Sequence, residues 1–226
     1  MIITLFIGLI VLGIALQICF MATELRKKYT LAVLLKGLAS ACFVALGCLT
    51  SKGALDGVFA KYILFGLLFG MAGDILLNLR FLFEKKGNLV FLVGILIFLL
   101  GHVMYLIAIL PFAERKWLGL LIGACLTALT LWQIFKRITA KPAFKIFGVF
   151  YIGAIVIMTT FACMNLISGF GIRNLVFFVG ALLFLASDIV LIINTFGGKQ
   201  SAKLRITNLS LYYVGQILIA LCLLAA

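Results

Sequence analysis

Two aspartates stand where a charge is costly. Asp74 sits in Gly70-Met-Ala-Gly-Asp-Ile-Leu-Leu-Asn-Leu79 and Asp188 in Ala181-Leu-Leu-Phe-Leu-Ala-Ser-Asp-Ile-Val-Leu191, both runs otherwise apolar enough for a membrane interior. An ionised group at mid-membrane costs roughly 2.5–3.5 kcal/mol on insertion scales, so such a residue is read first as functional. Two carboxyls facing one chamber can divide acid–base work, one donating a proton and the other standing ionised as base or charge stabiliser. The bland reading makes Asp74 the structural partner of Lys36, a cation inside a predicted span. Asp188 has no second intramembrane base to pair with.

Helical spacing gathers companions for the acids. Residues at i, i+4 and i+7 share one side of a helix. Gly66, Gly70, Asp74 and Asn78 make one stripe. Gly94, Phe98, Gly101, His102 and Tyr105 make a second, and Gly180, Phe184, Ser187, Asp188 and Leu191 a third. At a helical rise of 1.5 Å per residue, Asp74 lies roughly 8 Å to one side of the midplane, and Asp188, Lys36 and Tyr151 roughly 6 Å to the same side. Tyr212 joins them, His102 and Gln216 sit nearer the centre, and Tyr105 lies further out. Glycines beside the acids allow close helix approach or leave room for a ligand.

The candidate site is therefore a buried polar pocket ringed by aromatic residues. Asp74 and Asp188 are its candidate catalytic groups. Lys36, Asn78, Arg80, His102, Tyr105, Tyr151, Ser187, Tyr212 and Gln216 are its candidate binding residues. His102 and the tyrosines also suit interhelical hydrogen bonds, and Asn78 and Asn194 could serve only to satisfy backbone groups. No metal or cofactor is expected, because a zinc hydrolase usually needs several histidines and His102 stands alone.

The elements that must hold these residues are transmembrane helices. Of the 226 residues, 66% are hydrophobic and 11% charged, more apolar surface than a soluble domain can bury. Barrel strands would alternate polar and apolar positions, and these segments do not. Eight spans of bilayer length are predicted, at 2–22, 31–49, 58–79, 88–110, 117–135, 144–165, 173–195 and 207–226. The expected fold is an all-α integral membrane protein with one transmembrane domain over 1–226. The opening residues MIITLFIGLI lack a basic leader, so the first span is expected to be retained. Six cysteines without a C-x-x-C spacing read as small core residues. Pro111 and Pro142 fall at span boundaries.

Charge sets the expected orientation. The net charge of +13 belongs to residues flanking spans, which face lipid phosphates rather than nucleic acid. Thirteen of the 19 basic residues fall in the loops after spans one, three, five and seven, among them Arg26, Arg80, Lys85, Arg137, Lys199 and Arg205. Five fall in the other loops: Lys52, Lys61, Arg115, Lys116 and Arg173. The odd loops are then cytoplasmic and both termini outside, in a multi-pass protein of a bacterial inner membrane.

An internal repeat organises the spans. The two aspartates are 114 residues apart, and the same offset lays Gly101-His102 on Gly215-Gln216. With two further residues, Leu16-Gln17-Ile18 meets Trp132-Gln133-Ile134. Halves of about 1–112 and 113–226, four spans each and parallel, would surround a central polar pocket, as in transporter folds with sites between repeats.

Several stretches together resemble the YhhN-like lysoplasmalogenase family, whose animal members hydrolyse the vinyl ether of lysoplasmalogens. They are Gly73-Asp74-Ile75-Leu76-Leu77, the run Phe91 to Tyr105 with Gly94, Phe98 and His102, Gly180 to Asp188 with Phe184 and Ser187, and Tyr212-Tyr213-Val-Gly-Gln216. The resemblance spans most of the chain, with eight expected helices. One departure is that the family's span-two lysine is often followed by proline, whereas Lys36 precedes Gly37. The resemblance implies a cofactor-free membrane hydrolase that releases a fatty aldehyde and glycerophosphoethanolamine or glycerophosphocholine. Asp74 and Asp188 would share acid–base roles, and Lys36 or Arg80 would hold the phosphate of a lysophospholipid drawn from the membrane lipids. The residues alone leave two alternatives open, a small proton-coupled transporter and a lipid-binding membrane protein without chemistry.

Overall fold

The computed structural model describes residues 2–83 and 85–226. Eight α-helices lie among them, each long and apolar enough to cross a membrane. They are α1 (Ile2–Leu25), α2 (Tyr29–Thr50), α3 (Gly57–Leu79), α4 (Gly87–Ile109), α5 (Lys116–Phe135), α6 (Pro142–Ser168), α7 (Ile172–Phe196) and α8 (Ala202–Leu221). The protein is an all-α integral membrane protein of eight spans.

Helix ends follow local chemistry. Asp56 caps α3, accepting from the backbone N–H groups of Val58 and Phe59 at 3.1 and 2.9 Å. Pro142 opens α6, where its missing N–H has no partner to lose. Pro111 sits in a 3-10 turn just past α4. The last span departs from expectation. It begins at Ala202 rather than 207, and residues Cys222–Ala225 tighten into a 3-10 turn. Hydropathy put the boundary too late because Lys203 and Arg205 sit on the first turns of α8. Charge there is no obstacle to helix, because Arg205 is held by Glu24 at 2.6 and 2.9 Å.

Burial separates an inner set of helices from an outer one. α2, α6 and α8 bury much of their length, whereas α1 and α5 turn most of theirs outward. Val11, Ile18, Leu121, Leu129 and Trp132 are exposed on those outer helices, as lipid-facing residues should be. The cysteines divide likewise. Cys42 and Cys222 are buried as expected, but Cys19, Cys48 and Cys125 are exposed on apolar outer faces rather than in the core. Sequence hydropathy cannot distinguish the two settings, because lipid and core are both apolar.

The offset of 114 carries contacts as well as residue types. α3 crosses α4 where a Cβ on Gly101 would lie 3.3 Å from the backbone oxygen of Gly66, and a Cβ on Gly66 would strike the Tyr105 ring. α7 crosses α8 where a Cβ on Gly215 would lie 2.9 Å from the oxygen of Gly180. The packing of α4 on α6 likewise has its counterpart in α8 on α2. The two glycine crossings thus recur at the same offset. They also carry a prediction: Gly215→Val should destabilise the protein by about 1–3 kcal/mol through backbone overpacking. Gly8→Ala, with nothing within 4 Å of its new Cβ, should be neutral. Thermal unfolding of the purified protein in detergent measures both.

Candidate functional site

α3 carries Asp74 into the centre of a polar cluster contributed by four helices. Lys36 of α2 lies 3.4 Å from Asp74 Oδ1. Tyr212 of α8 donates its hydroxyl to Oδ2 at 2.9 Å, and Ser40 of α2 donates to the same oxygen. Lys36 also donates to Gln17 Oε1 of α1 at 3.3 Å, and its ammonium lies 4.6 Å from the centroid of the Tyr212 ring. Lys36 is 1% exposed, so the pair is a buried ion pair whose charges are compensated by neighbours rather than by water.

The second acid has a leaner setting. Tyr151 of α6 donates to Asp188 Oδ2 of α7 at 2.7 Å. His102 Nε2 of α4 stands 3.5 Å from the same oxygen without making a hydrogen bond to it. Asp74 is thus met from α8 by Tyr212 and Asp188 from α4 by His102.

Both aspartates line one small cavity of about 30 Å³, together with Lys36, Asn78, Arg80, Tyr151, Ser187 and Tyr212. A second, apolar cavity of about 50 Å³ adjoins it. Leu77, Phe91, Phe98, Tyr151 and Leu191 line both, so the charged and the greasy cavity lie against the same few side chains. At the end of the bundle where the basic loops lie, a vestibule of about 270 Å³ shares Arg80 and Arg205 with the polar cavity. The Arg80 guanidinium is clasped between the rings of Phe81 and Phe91, at 4.6 and 4.1 Å from their centroids. No carboxylate among the described residues pairs with it. Arg205, by contrast, is spent on Glu24 and Asn208.

Three expected binding residues do not line this cavity. His102 lies behind Asp188, against Tyr151 and Phe184. Tyr105 and Gln216 extend a buried chain behind Asp74: Tyr105 donates to Gln216 Oε1 at 2.8 Å, and Gln216 donates to the Tyr212 hydroxyl at 3.2 Å. Helical periodicity placed them on the right faces but could not say which side chains would stand in front. Asn78 lines the cavity and donates to the backbone oxygen of Asp74 at 2.9 Å. Asn194 accepts from the Ser201 N–H at 2.8 Å and only ties a loop.

The sequence reading missed Ser40, Gln17, Asn208 and the whole apolar cavity. Ser40 and Asn208 stand four residues from Lys36 and Tyr212, so the i, i+4 rule could have found them. Asn208 donates to the oxygens of Ser187, at 2.8 Å to Oγ and 2.9 Å to the carbonyl. Among the described residues, no group of three or more His, Cys, Asp or Glu side chains is arranged to hold a metal ion.

Eight spans around a buried polar cluster with an apolar cavity beside it define a polytopic membrane protein with an intramembrane pocket. The chain belongs to the YhhN family, whose model matches residues 31–223. That family includes lysoplasmalogenases. No curated protein and no solved structure gave a match to the chain.

Proposed function

We propose that the protein is a membrane hydrolase that cleaves the vinyl ether of lysoplasmalogens, giving a fatty aldehyde and a glycerophospho-base. The observation that carries this reading is the junction of the two cavities. A single-chain amphiphile laid through it would put its aliphatic tail among Phe91, Phe144 and Ile152, and its phosphate toward Arg80. The bond between tail and glycerol then falls beside the two carboxyls.

The chemistry needs little else. Protonation at the outer alkenyl carbon converts the vinyl ether into an oxocarbenium ion, and water adds to it. The resulting hemiacetal breaks its carbon–oxygen bond to glycerol. A positioned acid lowers the first barrier, and a nearby anion offsets the positive charge that develops in a water-poor site. Asp74 and Asp188 are the groups for these tasks, with Lys36, Tyr151 and Tyr212 holding them in place.

The test is aldehyde release from lysoplasmenylethanolamine and lysoplasmenylcholine by the purified protein. No release from either would sink the hydrolase. The buried chain from Asp74 through Tyr212 and Gln216 to Tyr105 favours a second reading, proton-coupled transport. Substrate-driven proton flux in liposomes, without aldehyde, would decide for it.

Two predictions follow from the placement of the head group. Arg80→Leu should raise KM for a lysoplasmenyl phospholipid about 10- to 100-fold, the worth of one charge-assisted hydrogen bond. It should leave an alkenylglycerol without phosphate unaffected, and steady-state kinetics on the two substrates separates the cases. With the basic loops cytoplasmic, a cysteine at Lys85 or Lys199 should react with an impermeant thiol reagent only in inside-out vesicles. Labelling in right-side-out cells would invert the orientation.

A further inference from the structure

The two carboxyl groups are held in different ways. Asp74 is met at both oxygens, by the Lys36 ammonium 3.4 Å from Oδ1 as an ion pair and by the donating hydroxyls of Ser40 and Tyr212 on Oδ2. A proton on Oδ1 would stand against the Lys36 charge, and one on Oδ2 would displace a hydroxyl donor. Asp188 receives both its contacts on Oδ2. No donor among the described residues reaches Oδ1, and Asp188 lines the cavity. A proton on that oxygen displaces nothing.

His102 completes the contrast. Its ring is fully buried, and neither nitrogen has a hydrogen-bond partner among the described residues. Asp188 Oδ2, at 3.5 Å from Nε2, belongs to the one carboxyl within 4 Å among the described residues. A buried donor without a partner costs about 1–3 kcal/mol, so its retention calls for a moment when the bond is made.

We propose that Asp188 moves the protons of this site through Oδ1, that His102 is its positioning residue, and that Asp74 stays an anion throughout. The inference rests on the hydrolase reading above and assigns its roles. Asp188 Oδ1–H gives its proton to the outer alkenyl carbon, and the π pair of the double bond becomes the new C–H bond. His102 Nε2–H then closes on the carboxylate left behind, beside the Tyr151 hydroxyl. Water adds to the oxocarbenium carbon and returns one proton to Oδ1. The hemiacetal hydroxyl proton goes to the departing glycerol oxygen as the carbon–oxygen bond breaks. Atoms and electrons balance with water as the sole co-reactant. The fixed charge of Asp74 faces the cationic intermediate across the same cavity.

Infrared spectroscopy of the whole protein in detergent tests the assignment without turnover. A carboxylic-acid C=O band is expected at neutral pH, lost in Asp188→Asn and kept in Asp74→Asn. Where Asp74→Asn fails to fold, Asp74→Asn with Lys36→Met takes its place. A band removed with Asp74 and kept without Asp188, or no such band, overturns the assignment. His102→Leu should move this band and lower kcat about 10- to 100-fold with KM within about twofold. His102→Gln, which keeps an N–H donor, should recover most of the rate. An unmoved band and an unchanged kcat in both His102 variants overturn the positioning role. Wild-type protein that shows the Asp188 band yet releases no aldehyde supports the assignment while removing the hydrolase reading.

Discussion

Asp188→Asn is expected to lower aldehyde release by about 10²–10⁴-fold, the usual worth of a positioned general acid. The amide has the shape of the carboxyl and can still accept from the Tyr151 hydroxyl, so the helices should pack as before. What it lacks is a transferable proton. Binding of the lysolipid should survive, because the contacts expected to hold it lie elsewhere, at Arg80 and along the apolar cavity. The loss should therefore appear in kcat, with KM little changed. Tyr151→Phe removes only the hydroxyl at 2.7 Å and should cost about tenfold. Steady-state kinetics on protein of unaltered melting profile checks both variants. Full activity in Asp188→Asn would remove this acid from the chemistry.

The contrast between the two acids was not legible in the sequence, although their meeting was. Two charges in apolar runs, on glycine-bearing stripes at similar depth, are enough to predict one shared polar pocket. Spacing then gives the face of each helix, but not the order in which faces stack. His102, Tyr105 and Gln216 lie on the same helices as the site or its partners, yet they end up behind Asp188 and Tyr212, outside the cavity lining. The apolar cavity left no mark at all. Phe91, Phe98, Phe144 and Phe196 look like any membrane aromatics until α4, α6 and α7 bring them together. The head of α8 was lost for a different reason. A hydropathy window ends a span at the first charges, whereas Arg205 is neutralised from 181 residues away by Glu24 of α1. Tertiary pairing of that kind leaves no local signal.

The ion pair beside the pocket gives the largest expected effect on stability. Lys36 is 1% exposed and touches Asp74, Gln17 and the Tyr212 ring. Lys36→Met keeps most of the volume and removes the charge. Asp74 is then left as an uncompensated buried anion, a loss of about 3–5 kcal/mol when one partner of such a pair is deleted. Its hydroxyl donors, Ser40 and Tyr212, soften this only in part, because neither carries a positive charge. Asp74→Asn alone strands the ammonium and should cost a similar amount. The double variant, Lys36→Met with Asp74→Asn, strands neither and should recover most of the stability of the native pair. The single effects should thus fail to add by well over 1 kcal/mol, the mark of groups in direct contact. Unfolding midpoints of the four proteins in mixed micelles complete the cycle. Additive losses would mean that the pair contributes packing alone. Recovery of the fold without recovery of aldehyde release would separate what Lys36 does for stability from what the anion does for the reaction, because the double variant restores a neutral, packed pocket but no fixed negative charge to face an oxocarbenium ion.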